Sequence, residues 1–275
     1  MTIATRNRLI SASAACALLL AACSAVAVVL IIARGGLPAE PTGGRPFPAL
    51  SSFPLTPYSP LASILALALF PAFSLAALGY VMFAFEKTHT IEITFFAAFA
   101  FAISLECARL AVPFYGLWHD ADFYLITISR VVYFSRFFSI LAVLASGIFA
   151  SGLLTQQIGP SLFLLAFFAF GIANTVPVNA RAVTTLFLAG SGYANVMRSL
   201  IVAIGLLGAL SYHILGRTRG ISEYRSAARA VIVLLAGYAI LSNSDAWALL
   251  APGAALLAAG TVQYLRSIHR LYLWQ

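Results

Sequence analysis

The chain has 275 residues, of which 62% are hydrophobic and 9% charged. A soluble domain carries about 25% charged residues, so there is too little polar side chain here to coat a water-soluble globule, and lipid has to be the solvent for most of the surface. The net charge of +8 does not indicate nucleic-acid binding, because the lysines and arginines stand singly between apolar runs, as topology determinants do, and form no basic stripe.

Lipid cannot hydrogen-bond the backbone, so spanning segments are helices or a closed barrel. The run from Ile64 to Phe83 is continuously apolar rather than alternating, which excludes a barrel. The expected fold is therefore all-α: a polytopic transmembrane helical bundle of about eight spans, forming a single membrane domain over residues 1–275.

The first span is expected at 9–33. Arg6 and Arg8 precede it like the basic start of a signal peptide, and Leu20-Ala21-Ala22-Cys23 resembles a bacterial lipobox. The apolar run nevertheless continues past Cys23 to Ala33, where a lipoprotein would turn to a polar tether, so the segment reads as an uncleaved helix. A loop over 34–60 follows, and eight of its first fifteen residues are proline or glycine, a composition that suits an irregular connection. Further spans are expected at 61–84, 90–113, 122–150, 160–177, 193–215, 227–243 and 246–265, with 178–192 as the other long connection. A seven-span alternative runs one helix to Leu250 and breaks it at Pro252-Gly253. That version leaves 254–265 too short to cross and strands the basic tail on the wrong side, so eight is the better count.

Orientation follows from the basic residues. With the N-terminus inside, the cytoplasmic side holds Arg6, Arg8, Lys87, Arg217, Arg219, Arg225, Arg229, Arg266 and Arg270, and the outside holds Arg34, Arg45 and Arg181. Both termini are then cytoplasmic, and the membrane is expected to be the bacterial cytoplasmic (inner) membrane. Tyr115, Trp118 and Trp247 mark the outer interface, and Tyr264, Tyr272 and Trp274 the inner one. The EKTHT loop at 86–90 and the basic, aromatic tail read as interface anchors, with docking of a cytoplasmic protein partner as the other use. Ala97, Ala98, Ala100, Ala102, Ser104 and Ala108 line the third span, and small residues let helices approach closely in lipid.

Well inside these spans, away from their ends, fall four arginines, Arg109, Arg130, Arg136 and Arg198, and one glutamate, Glu106. A charge at mid-bilayer costs about 2.5–3.5 kcal/mol on insertion scales, so such residues face the bundle interior and pair. Counting at 1.5 Å per residue places Glu106 roughly 10 Å and Arg130 roughly 12 Å below the outer surface. Adjacent antiparallel helices would then set Glu106 opposite Arg130, with Arg109 one turn nearer the surface. Arg136 lies deeper, turned away from Arg130, and is expected to snorkel inward or meet a carbonyl. Asn174, Arg198 and Asp245 come to the same outer half. Together these residues read either as a fold-fixing buried ion pair or as the lining of a net-positive pocket for an anionic ligand or a lipid headgroup.

Cys16, Cys23 and Cys107 all lie in apolar runs with no CxxC and no Cys/His cluster, so neither a disulfide framework nor a metal site is expected. Ala189-Gly190-Ser191-Gly192 departs from the Gly-x-Ser-Gly of intramembrane serine proteases at its first position, and its only histidine candidate, His213, belongs to the opposite membrane face. HExxH, P-loop and paired intramembrane aspartates are absent, and no cofactor signature is present. The arrangement is broadly similar to stand-alone multi-span sensory modules of bacterial receptors, in architecture and in no particular residue. The expected role is a non-enzymatic sensor or interaction module whose partners are membrane lipids, an anionic ligand or a cytoplasmic protein. A small-molecule or lipid transporter and an intramembrane enzyme acting on lipid-linked substrates are the alternatives.

Overall fold

The chain begins its helical course at Thr2, whose hydroxyl caps the first turn by accepting from the Thr5 amide at 3.2 Å. A computed structural model describes residues 2–35, 44–45, 56–86, 90–117, 122–152 and 158–273. Its helices are α1 (Ile3–Ala33), α2 (Pro60–Ala84), α3 (Ile91–Tyr115), α4 (Asp122–Phe149), α5 (Ile158–Thr175), α6 (Ala194–Thr218), α7 (Ser222–Ser242) and α8 (Trp247–Leu273). All eight are long and apolar enough to cross a membrane, which gives the chain the character of an integral membrane protein. Consistent with a lipid solvent, Leu19, Phe83, Phe163, Phe167 and Leu206 lie exposed on the outer faces of their helices.

The connections among the described residues bring the helices back alternately. At one end Arg6 of α1 donates to the Phe85 carbonyl just past α2, at 2.7 Å, and the Phe85 ring meets the His269 ring of α8 edge-on at 5.5 Å. Arg219 beyond α6 donates to the Ser151 carbonyl beyond α4 at 2.6 Å. The starts of α1, α3 and α7 therefore share this end with the ends of α2, α4, α6 and α8, and Phe85 is touched from both the N-terminal and the C-terminal helix. Arg217, Arg219, Arg225, Arg266 and Arg270 make it the basic end. Lys87, Trp118 and Trp274 lie outside the described residues.

The α7–α8 boundary falls at the Asn243–Ala246 turn, and Pro252 is carried inside α8 without a break. Helices at the ends of the expected spans run longer than the apolar core alone requires. α7 starts at Ser222 and α8 continues to Leu273, so Arg225, Arg229, Arg266 and Arg270 ride on helices rather than on loops.

α3 is the axis of the bundle, buried over 78% of its spanning window, whereas α1 and α5 are peripheral at 17% each. Its alanines and Ser104 are what permit α2 and α4 to close on it. The α7–α8 pair is tighter still. A Cβ placed on Gly253 would come within 2.9 Å of the Leu241 amide, and one on Gly260 or Gly237 would fall inside the partner's backbone.

The connection 178–192 is not a plain loop. β1 (Val178–Val183) and β2 (Ala189–Ser191) pair antiparallel with a register irregularity between Asn179 and Val183. The hairpin tip turns into the bundle end opposite the basic one. Phe187, at a positive φ of 57°, is fully buried there among Ile31, Ile64, Leu110 and Leu125. A bulky residue held in the left-handed region marks a position over-determined by its surroundings, in this case by the apolar seat under the tip.

Candidate functional site

α3 changes pitch where its charges lie. It is α-helical to Ser104, 3-10 from Leu105 to Leu110, and α-helical again to Tyr115, where Gly116 at φ 65° ends it. Hydroxyls from both neighbours feed into the ladder just before the change: Ser74 of α2 donates to the Ala100 carbonyl, and Ser135 of α4 to the Ala102 carbonyl at 2.6 Å. A side chain inserted into the ladder is a recognised cause of a local change in helix geometry. In a 3-10 turn residues i and i+3 eclipse, so Glu106 and Arg109 stand in line, and an Arg109 guanidinium nitrogen bonds Glu106 Oε2.

Glu106 is completely buried. Its other oxygen, Oε1, accepts from Arg136 Nε of α4 at 2.8 Å and from the Tyr238 hydroxyl of α7 at 2.8 Å. Phe70 and Phe99 hold the Tyr238 ring edge-on, with centroids at 5.8 and 6.2 Å. Both arginines also reach the last carbonyl of α7: Arg109 Nη1 donates to the Ser242 oxygen at 3.1 Å and Arg136 Nη2 at 3.5 Å. Two guanidinium groups against one carboxylate leave one surplus positive charge. The negative end of the α7 dipole partly offsets it.

The hairpin closes this cluster from the end opposite the basic one. The Leu186 carbonyl lies 3.5 Å from Arg109 Nη1, and Arg109 Nε is buried with no hydrogen-bond partner among the described residues. Thr185 donates its hydroxyl to Asp245 Oδ2 at 3.1 Å and its amide to the Gly44 carbonyl at 3.2 Å. Arg45 grips Asp245 with two bonds of 2.8 Å and holds the Thr56 carbonyl at 2.9 Å. The Ala189 amide donates to Ser129 Oγ of α4 at 3.2 Å. A bidentate Arg–carboxylate pair fixes geometry as well as charge, and here it clamps the hairpin, the α1–α2 connection at Arg45 and the α7–α8 turn together.

These contacts place each candidate residue. Glu106, Arg109 and Arg136 come together, while Asp245 forms a separate pair with Arg45. Arg130 does not meet Glu106: it is exposed on α4, and the position opposite Glu106 is taken by Arg136, six residues further along. The depth count assumed uniform α-helical rise and set the two helices level. The real partner stands nearly two turns deeper on α4. Asn174 is exposed and donates to the Phe170 carbonyl of its own helix at 2.8 Å, apart from the groups that contact Glu106. Arg198 is half-buried near the start of α6, apart from the groups that contact Glu106. His213 is exposed.

A second buried carboxylate escaped the reading of the sequence. Glu92, at 2% exposure, lies in the first turn of α3 at the basic end and is met by phenols: Tyr272 of α8 donates at 3.0 Å and Tyr224 of α7 at 3.4 Å. Beside it Ser146, Tyr212 and Tyr264 form a closed hydroxyl triangle with sides of 2.6, 2.8 and 3.1 Å, and Ser146 Oγ lies 3.2 Å from the Glu92 carbonyl. The signal lay in the spacing: Tyr212, Tyr224, Tyr264 and Tyr272 all fall near helix ends on one side of the membrane. Among the described residues no group of three or more His, Cys, Asp or Glu side chains has the arrangement of a metal site.

No protein-family model matches the chain. It is similar to an uncharacterized protein of Treponema pallidum (strain Nichols), 28% identical over 346 aligned positions that take in all of both chains.

Proposed function

We propose that the chain is a multi-pass protein of a bacterial cytoplasmic membrane, with both termini in the cytoplasm, and that it works as a non-enzymatic sensor or interaction module. The arginine cluster in its outer half takes an anionic ligand, and the hairpin above it is the element that responds. The orientation rests on the nine basic residues assigned to one side against three on the other.

The observation that carries the ligand reading is the imbalance around Glu106: one carboxylate, two arginines, and a buried Arg109 Nε without a partner among the described residues. Buried charges are ordinarily paired, and an anion entering beneath the hairpin would complete the set. Transport is the weaker reading. It needs a polar path from this cluster to the opposite face, and between Glu106 and Glu92, roughly 21 Å apart along α3 at helical rise, Phe95, Phe99 and Ile103 are fully buried.

Native mass spectrometry of the protein extracted with its own membrane tests the proposal. Wild type is expected to carry a small anionic species that Arg136→Gln loses and Arg130→Gln keeps. Retention by a folded Arg136→Gln protein, or a wild type that carries no anion, would sink the ligand reading and leave the cluster a structural one.

A further inference from the structure

α8 commits its glycine face to α7, and α2 commits its own small-residue face to α1 and α3. The two helices therefore touch only sparsely and leave a gap along part of their facing sides. The gap between them is a groove of about 320 Å³, walled by Phe73, Ala77 and Tyr80 of α2 and by Ala258, Thr261 and Arg266 of α8. None of these residues belongs to the Glu106 or Glu92 clusters.

The groove is chemically graded along its length. Its deep part is apolar, lined by Phe73, Ala77 and Ala258. Thr261 follows: the residue is 5% exposed, and its hydroxyl has no hydrogen-bond partner among the described residues. A threonine inside a helix ordinarily satisfies that hydroxyl on the carbonyl four residues back. This one does not, and in lipid an unsatisfied hydroxyl has no water to turn to. Arg266 comes next, five residues toward the basic end and so roughly 7.5 Å beyond Thr261 at helical rise. It is exposed and makes no salt bridge among the described residues. Tyr80, 47% exposed on the facing helix, supplies an amphipathic ring of the kind that settles at headgroup level.

Cation at the mouth, lone hydroxyl one step deeper and apolar walls below match the order of groups along a glycerophospholipid. We infer that the α2–α8 groove is a binding site for an anionic phospholipid of the leaflet at the basic end. Its phosphate lies on the Arg266 guanidinium, its glycerol-ester region accepts from the Thr261 hydroxyl, and one acyl chain runs past Ala77 and Ala258 to Phe73. Charge decides the headgroup class: Arg266 and Arg270 stand at this end of α8, and basic positions between helices on such a face favour acidic over zwitterionic lipid.

The full-length protein in nanodiscs of mixed phosphatidylglycerol and phosphatidylcholine supplies the test, read by native mass spectrometry and by thermal unfolding after delipidation. Wild type should retain one phosphatidylglycerol in preference to phosphatidylcholine. Arg266→Gln should cut that preference about fivefold, and Thr261→Val should cut phosphatidylglycerol retention roughly threefold. The isosteric Thr261→Val change should also raise the lipid-free unfolding midpoint, because it removes a buried hydroxyl that has nothing to bond, and it should shrink the midpoint gain that added phosphatidylglycerol gives wild type. Filling the groove with Ala258→Phe should abolish retention. Unchanged phosphatidylglycerol retention in both Arg266→Gln and Thr261→Val overturns the site. So does a lowered lipid-free midpoint for Thr261→Val, which would mean that the hydroxyl is already satisfied within the protein. Arg266 is exposed and Thr261→Val conserves volume, so both variants remain informative if Ala258→Phe does not fold.

Discussion

Glu92 and Glu106 ride on the same helix, both almost wholly removed from solvent, and the chain provides for them in opposite ways. Glu106 is held by two arginines and a tyrosine drawn from three helices, under a hairpin pinned by a further ion pair. Among the described residues, the side chains that donate to Glu92 are two phenols, with a serine–tyrosine triangle at its back. The first arrangement is a charge cluster, and removing its one carboxylate leaves two arginines buried without their partner. The second is a hydrogen-bond cluster, in which any one member is dispensable to the rest. In a medium without water this difference governs how each end of the bundle tolerates change.

The comparison is most exposed to Glu106→Gln. Removing the carboxylate strands Arg109 and Arg136, at a cost of about 3–5 kcal/mol in unfolding, whereas Glu92→Gln keeps acceptor and shape and should cost about 1 kcal/mol. Unfolding of both variants by denaturant in one detergent reads the contrast, and equal losses would abolish it. The tyrosines come next. Tyr238→Phe removes a 2.8 Å bond to an ionised carboxylate and should cost about 1.5–2 kcal/mol. Tyr224→Phe removes a 3.4 Å contact and should cost under about 0.5 kcal/mol. If Tyr224→Phe proves the worse of the two, the Glu92 cluster is the more strongly coupled one. The effect expected at the clamp falls between those of the two tyrosines. Thr185→Val loses one bond to Asp245 while Arg45 keeps its two, so stability should fall by about 0.5–1 kcal/mol. Hydrogen exchange should quicken across 178–191 and stay unchanged in α7 and α8.

The span count and the order of elements were legible in the sequence because hydropathy and helix length answer to the bilayer alone. The burial of Glu106 and Arg109 was legible as well, from the cost of an unpaired charge. The partner was not. Arg130 and Arg136 both lie on α4, and choosing between them needs the relative height of two helices, which depends on how Ala97, Ala100 and Ala102 let α4 settle and on the 3-10 turn at 105–110. Glu92 escaped notice because two residues inside a span is a position where snorkelling to water is ordinary. Only the packing of Tyr212, Tyr224, Tyr264 and Tyr272 around it removes that route. The hairpin was hidden for a similar reason: Val178–Ser191 has the length of a surface connection, and nothing local announces that Phe187 will turn inward.

The i,i+3 spacing of Glu106 and Arg109 has a consequence for biosynthesis. A chain made from its N-terminus delivers α3 to the membrane long before the other partners exist, since Arg136 follows Glu106 by 30 residues and Tyr238 by 132. Carrying the counter-ion of Glu106 within one turn, α3 can leave the insertion machinery with its deeper carboxylate already paired. The surplus charge enters only with α4, and the helix end that tempers it arrives with α7. A nascent chain halted between those two helices would hold an uncompensated arginine in the bilayer, which sets the time at which quality control can tell a finished bundle from an unfinished one.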